Sequence, residues 1–150
     1  MPYGQGGMMG PQGGMPVAGT GPTTRNALMT WLLPFAVAFG GSIIGGVLGA
    51  VVSPGLYGLS SLFCLAASIW YLVLTVNMIN EVKSVTRNPN FAWWPMLVPF
   101  FNIYWALILV PQEVTNAKQL LGVQQPARNV ILYFFLFPFA LASDINDMVR

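Results

Sequence analysis

GGSIIGGVLGA, residues 40–50, places five glycines in eleven residues inside a strongly apolar run. In a helix in water each glycine costs roughly 1 kcal/mol relative to alanine. In lipid the balance differs, because helices there associate through close van der Waals contact and small residues let two backbones approach. Gly41, Gly45 and Gly49 recur every four residues, and Ser42, Gly46 and Ala50 form a second stripe beside them. The stretch therefore predicts a membrane helix with a doubled small-residue face.

Working outward, the apolar run spans 26–52, about 25 residues, enough to cross a hydrocarbon core of ~30 Å. The turn SPGLYG, residues 53–58, follows, and a second apolar segment covers 59–80. So short a loop makes the two segments an antiparallel hairpin. Ser60, Cys64 and Ser68, again four apart, offer a matching small face. The two faces pack together within one chain, or the glycine stripe meets another copy and drives oligomerisation; the residues alone leave both open.

Composition narrows the chemistry. The chain is 55% hydrophobic and 7% charged, against about 25% charged in an ordinary soluble domain. There is no histidine, and the only acids are Glu81, Glu113, Asp144 and Asp147. The commonest general base and metal ligand are thus missing. No catalytic, cofactor-binding or metal site is predicted, and the chain does not read as an enzyme. Cys64, alone in an apolar run, behaves as a small hydrophobe. A net charge of +2 with no basic block does not predict nucleic-acid binding, and no small-molecule substrate is evident.

Residues 1–25 are rich in glycine, proline and methionine and uncharged until Arg25, the composition of a disordered tail. Met8, Met9 and Met15 are too irregularly spaced to read as copper ligands. The tail opens without positive charge, so it does not read as a secretory signal.

Beyond the hairpin, two further apolar segments cover 91–111 and 129–143. Pro95 and Pro99 break the first, and Pro138 breaks the second. Between them, 112–125 carries Val114, Ala117 and Leu121 at helical spacing among polar residues, which predicts an interfacial helix. The expected fold is an all-α integral membrane protein, with a disordered tail (1–25) and a helical membrane domain (26–150) of four apolar segments. Two topologies compete. If all four segments cross, Arg25, Lys83, Arg87 and Arg150 share one side, with Lys118 and Arg128 on the other. If the last two dip in and return, turning near Phe101, Asn102 and Pro138, all six basic residues share one face. Four membrane segments is the primary reading, re-entrance fitting the last better than the third. Both versions keep the N-terminus cytoplasmic by the excess of positive charge on that side.

Glu81, Lys83, Arg87, Glu113, Lys118, Arg128, Asp144 and Asp147 read as interfacial charges near helix ends. A faint repeat links them: IWYLVLTVNMINEV (69–82) parallels IYWALILVPQEV (103–114), INDMV (145–149) echoes its end, and LVPF (97–100) recurs as LFPF (136–139). Carboxylates at helix C-termini oppose the macrodipole, so basic partners such as Lys83, Lys118 or Arg128 are expected. Trp31, Trp70, Tyr71, Trp93, Trp94, Tyr104 and Trp105 cluster near segment ends, where aromatic rings prefer the interface.

At NPNFAWWPMLVPFFNIYWALILVPQEV the sequence resembles an uncharacterised family of small bacterial multi-pass membrane proteins. In that family a proline or glycine turn and an IYW-type aromatic group precede a polar, acid-bearing helix end. The PYGQ opening is similar to the Pro/Gly/Tyr-rich tails of those proteins. The resemblance implies a bacterial inner-membrane location and no catalytic residue. The expected role is a non-enzymatic accessory or scaffold subunit that packs or oligomerises through the glycine stripe, its partners being the bilayer and itself or other membrane proteins. The alternative is a small pore or transporter lined by Gly41, Gly45, Ser42, Ser60 and Asn102.

Overall fold

The computed structural model describes residues 21–149; the predicted tail up to residue 20, with Met8, Met9 and Met15, and Arg150 lie outside it. Among the described residues every regular element is helical. Helix α1 (Ala27–Val51) starts at Asn26, whose side-chain oxygen accepts the Met29 N–H at 3.1 Å, an ordinary N-cap. It ends before a single 3-10 turn, Pro54–Tyr57, and α2 (Gly58–Thr86) returns antiparallel. Both are long and apolar enough to cross a membrane.

The buried face of α1 consists of Pro34, Gly41, Gly45 and Gly49. Gly41 lies against Phe63, Gly45 against Ser60 and Gly49 against Tyr57. The glycine stripe is thus occupied within one chain. Ser60 donates to the Ser42 carbonyl at 3.2 Å, and Ser42 donates to the Ala38 carbonyl at 2.7 Å. With the Ser42 hydrogen so used, the Cys64 thiol, 3.3 Å away, is the donor to its oxygen. Ser68 takes no part in the seam; it bonds back to the Cys64 carbonyl. Gly46 has open space before it, and Ala50 is exposed.

α2 ends at Arg87, a left-handed C-cap (φ 53°) whose N–H reaches the Lys83 carbonyl at 2.8 Å. Residues 91–111 then differ from a single straight segment. A 3-10 turn, Trp94–Leu97, climbs to Pro99, and the chain reverses at Phe100 (φ 64°, ψ −40°). It descends through α3 (Phe101–Tyr104), a π turn (Trp105–Leu109) and α4 (Val110–Leu120) as one unbroken helix. Pro111 explains the π turn: it lacks an N–H and its ring crowds the carbonyl four residues back, so the ladder widens just before it.

The stretch predicted as an interfacial helix, 112–125, is the lower part of this descending helix and stops at Leu120. Val114 and Ala117 do lie on one face, but that face is buried with Met78, Ile79 and Val82 of α2 rather than turned to headgroups. Residues 129–143 are likewise divided. α5 (Val130–Phe135) climbs and α6 (Phe137–Val149) descends, with the break at Leu136 rather than at Pro138. Proline disfavours helical backbone at the preceding residue and cannot donate to the turn before it, yet it fits the first turn of a new helix. The break therefore falls just ahead of Pro138.

The hydrophobic core joins the last third of α2 to the descending helix, Tyr133 and α6. The molecule is a two-helix rod whose lower half is embraced by a helical base.

Candidate functional site

Ten residues separate Tyr71 from Glu81 on α2, and ten separate Ile103 from Glu113 on the descending helix. Nine separate Phe137 from Asn146 on α6. At 1.5 Å per residue each interval is about 15 Å. Tyr71, Asn102, Ile103, Phe134 and Phe137 all line one cleft of about 290 Å³. At the other end of these intervals the polar groups meet. The base thus has two levels, aromatic tips above and a belt of charge below.

The belt has three parts. Arg25 forms an ion pair with Glu81, which also accepts from the Thr23 N–H and hydroxyl. The Arg25 backbone exchanges two hydrogen bonds with the Asn146 side chain, at 2.8 and 2.6 Å. This clasp ties the start of α1 to α2 and α6. Arg25 reads in the sequence as the end of the tail; its role needs Asn146, 121 residues away, which no local pattern reveals. In the second part the Asn88 amide donates to Glu113 at 3.2 Å, and Lys83 reaches the Pro89 carbonyl at 3.4 Å.

The third part is buried. Lys118 is 1% exposed and Asp144 0%, with Nζ and Oδ1 2.7 Å apart. Lys118 Nζ also donates to Asp147 Oδ2 at 3.1 Å and to the Pro126 carbonyl at 3.3 Å, so its three protons each have an acceptor. Asp144 Oδ2 accepts from the Tyr133 hydroxyl at 2.6 Å and the Arg128 N–H at 3.0 Å. Arg128 closes the ring on Asp147 at 3.2 Å. The Tyr133 hydroxyl, itself buried, thus donates to the Asp144 carboxylate inside the base. The sequence reading treats Lys118 and Asp144 as interfacial charges. The structure adds that both are buried and paired with each other, because they sit on faces that α4 and α6 turn toward each other.

The tips are apolar and open. Leu97, Phe100, Phe101, Ile103 and Tyr104 are exposed on the first, Phe134 and Phe135 on the second. The LVPF and LFPF stretches mark these two reversals. Trp105, predicted as an interfacial anchor, is instead buried against Phe137 and donates its indole N–H to the Ala92 carbonyl at 3.0 Å. That bond fixes the descending helix beside the ascending limb of the same excursion.

Phe100 makes the first tip unusual. Its dihedrals, with the Phe101 N–H bonded to the Pro99 carbonyl at 2.8 Å, define a γ-turn of the rare, strained hand. Glycine would sit there without strain, yet the position holds a phenylalanine that is 88% exposed. Strain of this kind costs on the order of 1–3 kcal/mol. Phe100→Gly is expected to stabilise the detergent-solubilised fold by roughly 1 kcal/mol after the entropy that glycine adds to the unfolded chain. Thermal unfolding in mild detergent checks this; a loss of stability would mean that the ring makes contacts that the fold needs.

Among the described residues no group of three His, Cys, Asp or Glu side chains converges as metal ligands. In the seam Ser60 lies against Gly45 and Ser42 while Gly41 lies against Phe63, and Asn102 lies apart from them in the cleft. No family model matches the chain, and neither a curated protein nor a solved structure matches it.

Proposed function

We propose that the chain is a non-enzymatic integral membrane protein that acts as an accessory or scaffold subunit in the bacterial inner membrane, with α1 and α2 as the only crossing segments. The observation that carries this reading is the distribution of charge. Every described charged residue falls at the lower end of the hairpin, whereas the far loop, residues 52–58, has none and the two tips have none. Positive charge retained on one side favours a cytoplasmic N-terminus. On this reading 91–111 and 129–143 enter the apolar layer and return, their backbones covered by each other and by α2, as re-entrant segments require. The resemblance to small bacterial membrane proteins with an IYW-type turn belongs to the same proposal.

The scaffold role is favoured over a pore by two features. The belt's carboxylates all have donors, leaving no charged path through the base, and Gly41, Gly45, Ser42 and Ser60, which would line a path, are packed in the hairpin seam. The second small stripe supplies the face for a partner helix, with Gly46 open and Ala50 outward.

Gly46→Leu tests this. It should leave the hairpin intact, since a side chain there meets nothing within the chain, and should reduce the oligomeric mass or the set of co-purifying proteins in mild detergent. An unchanged mass and unchanged co-purification would remove the scaffold reading. Ion flux through reconstituted vesicles would favour the pore.

A further inference from the structure

We propose that the base is a one-leaflet wedge, which makes the protein prefer membrane that is convex on the side carrying the charged belt. The inference rests on the re-entrant reading above. Its source is the mismatch in cross-section between the two halves of the molecule.

From the belt to the level of Tyr71, about 15 Å or half a hydrocarbon core of ~30 Å, the protein contains five climbing or descending segments. These are α1, α2, the ascent to Phe100, the descending helix and the α5–α6 hairpin counted as one unit. Above Tyr71, α2 has a single buried residue, Ala67, and the glycine seam against α1 accounts for the rest of the packing. A helix with its side chains is 10–12 Å across, so each adds about 100 Å² to a leaflet. With the ascent, the descending helix and both arms of the α5–α6 unit each contributing, one leaflet therefore receives the hairpin plus roughly 400 Å² more, and the other receives the hairpin alone.

What covers the tips follows from their chemistry. Phe100, Phe101, Ile103, Phe134 and Phe135 carry no charge and are exposed, and Ile103 and Phe134 line the cleft at the level of Tyr71 on α2. Acyl chains of a single leaflet match that surface. The strained turn at Phe100 fits the same purpose, because it holds an aromatic ring at the apex of the excursion. A shape wider in one leaflet is accommodated with least lipid deformation where that leaflet is expanded, the physical basis of curvature preference in shallow insertions.

The test uses the full chain in giant vesicles of phosphatidylcholine and phosphatidylglycerol, with the belt facing outward, from which thin tubes are pulled. The ratio of protein on the tube to protein on the parent vesicle should exceed one by about twofold or more. Combined replacement F100S, F134S and F135S, all at exposed positions, should return it toward one. In a C64S background the F100C thiol should also resist a membrane-impermeant maleimide from either side of sealed vesicles.

A ratio of one or below with the thiol protected would overturn the wedge while leaving the re-entrant reading intact. A thiol labelled from water would overturn both. A ratio unaffected by the triple replacement would also overturn the wedge, since the tips would then not be what the curved leaflet accommodates.

Discussion

Lys118→Met is expected to destabilise the base by about 3–5 kcal/mol, the usual cost of removing one partner of a buried ion pair. The size follows from what remains behind. Asp144 would keep its Tyr133 and Arg128 donors and the Arg128 guanidinium at 3.7 Å, but lose the nearer cation, Lys118 at 2.7 Å, and it is fully buried. Asp147 would retain Arg128 at 3.2 Å and, being partly exposed, would suffer less. Because the pair joins α4 to α6, α6 should loosen first, and the Asn146 clasp on Arg25 with it. Thermal unfolding in detergent and proteolysis of the C-terminal segment read the effect. The combined variant K118M with D144L should recover much of the loss, since an apolar pair of similar volume can replace a buried ion pair without net cost. A single variant as stable as the parent would mean that the base does not depend on this pair.

Gly45→Leu should have an effect of comparable size in the other half of the molecule. Even a methyl group there would stand 2.6 Å from the backbone nitrogen of Ser60. Backbone cannot swing aside as a flexible side chain does, so the helices must separate. Overpacking of this kind costs roughly 1–3 kcal/mol where the surroundings can give, and here separation also forfeits the Ser60–Ser42 and Ser42–Cys64 contacts. Gly41→Leu should cost a comparable amount, because a side chain there would run into the Phe63 Cβ as well as its ring, and rotation of the ring does not move the Cβ. Cross-linking between cysteines placed on α1 and α2 would report the seam directly; undiminished cross-linking in the Gly45 variant would show that the two backbones do not meet there.

The contrast between these halves shows what a single sequence makes legible. The hairpin is local: two long apolar runs, a proline-glycine turn between them, and small residues every four positions suffice to predict two antiparallel helices with matching small faces, and the structure adds that Gly45 meets Ser60 within one chain. The base is not. Prolines at 95, 99 and 138 signal broken helices, but the direction taken after each break depends on packing between distant segments. Val114 and Ala117 carry the period of an amphipathic helix, and the period does not say whether lipid or protein covers that face. Lys118 and Asp144 are 26 residues apart, and each alone looks like a charge at a helix end. The repeat of LVPF as LFPF was the best available pointer to the base, since both copies fall at reversals.

The most direct test of the account is the side from which the loop after α4 is reached. In a C64S background, N90C and Q125C, both exposed, and G55C in the far loop are labelled in oriented vesicles with an impermeant maleimide. Two crossing helices and a returning base predict that N90C and Q125C react from one side and G55C from the other. Reaction of Q125C from the side of G55C would mean that residues 91–111 cross the membrane, and would contradict the architecture described above.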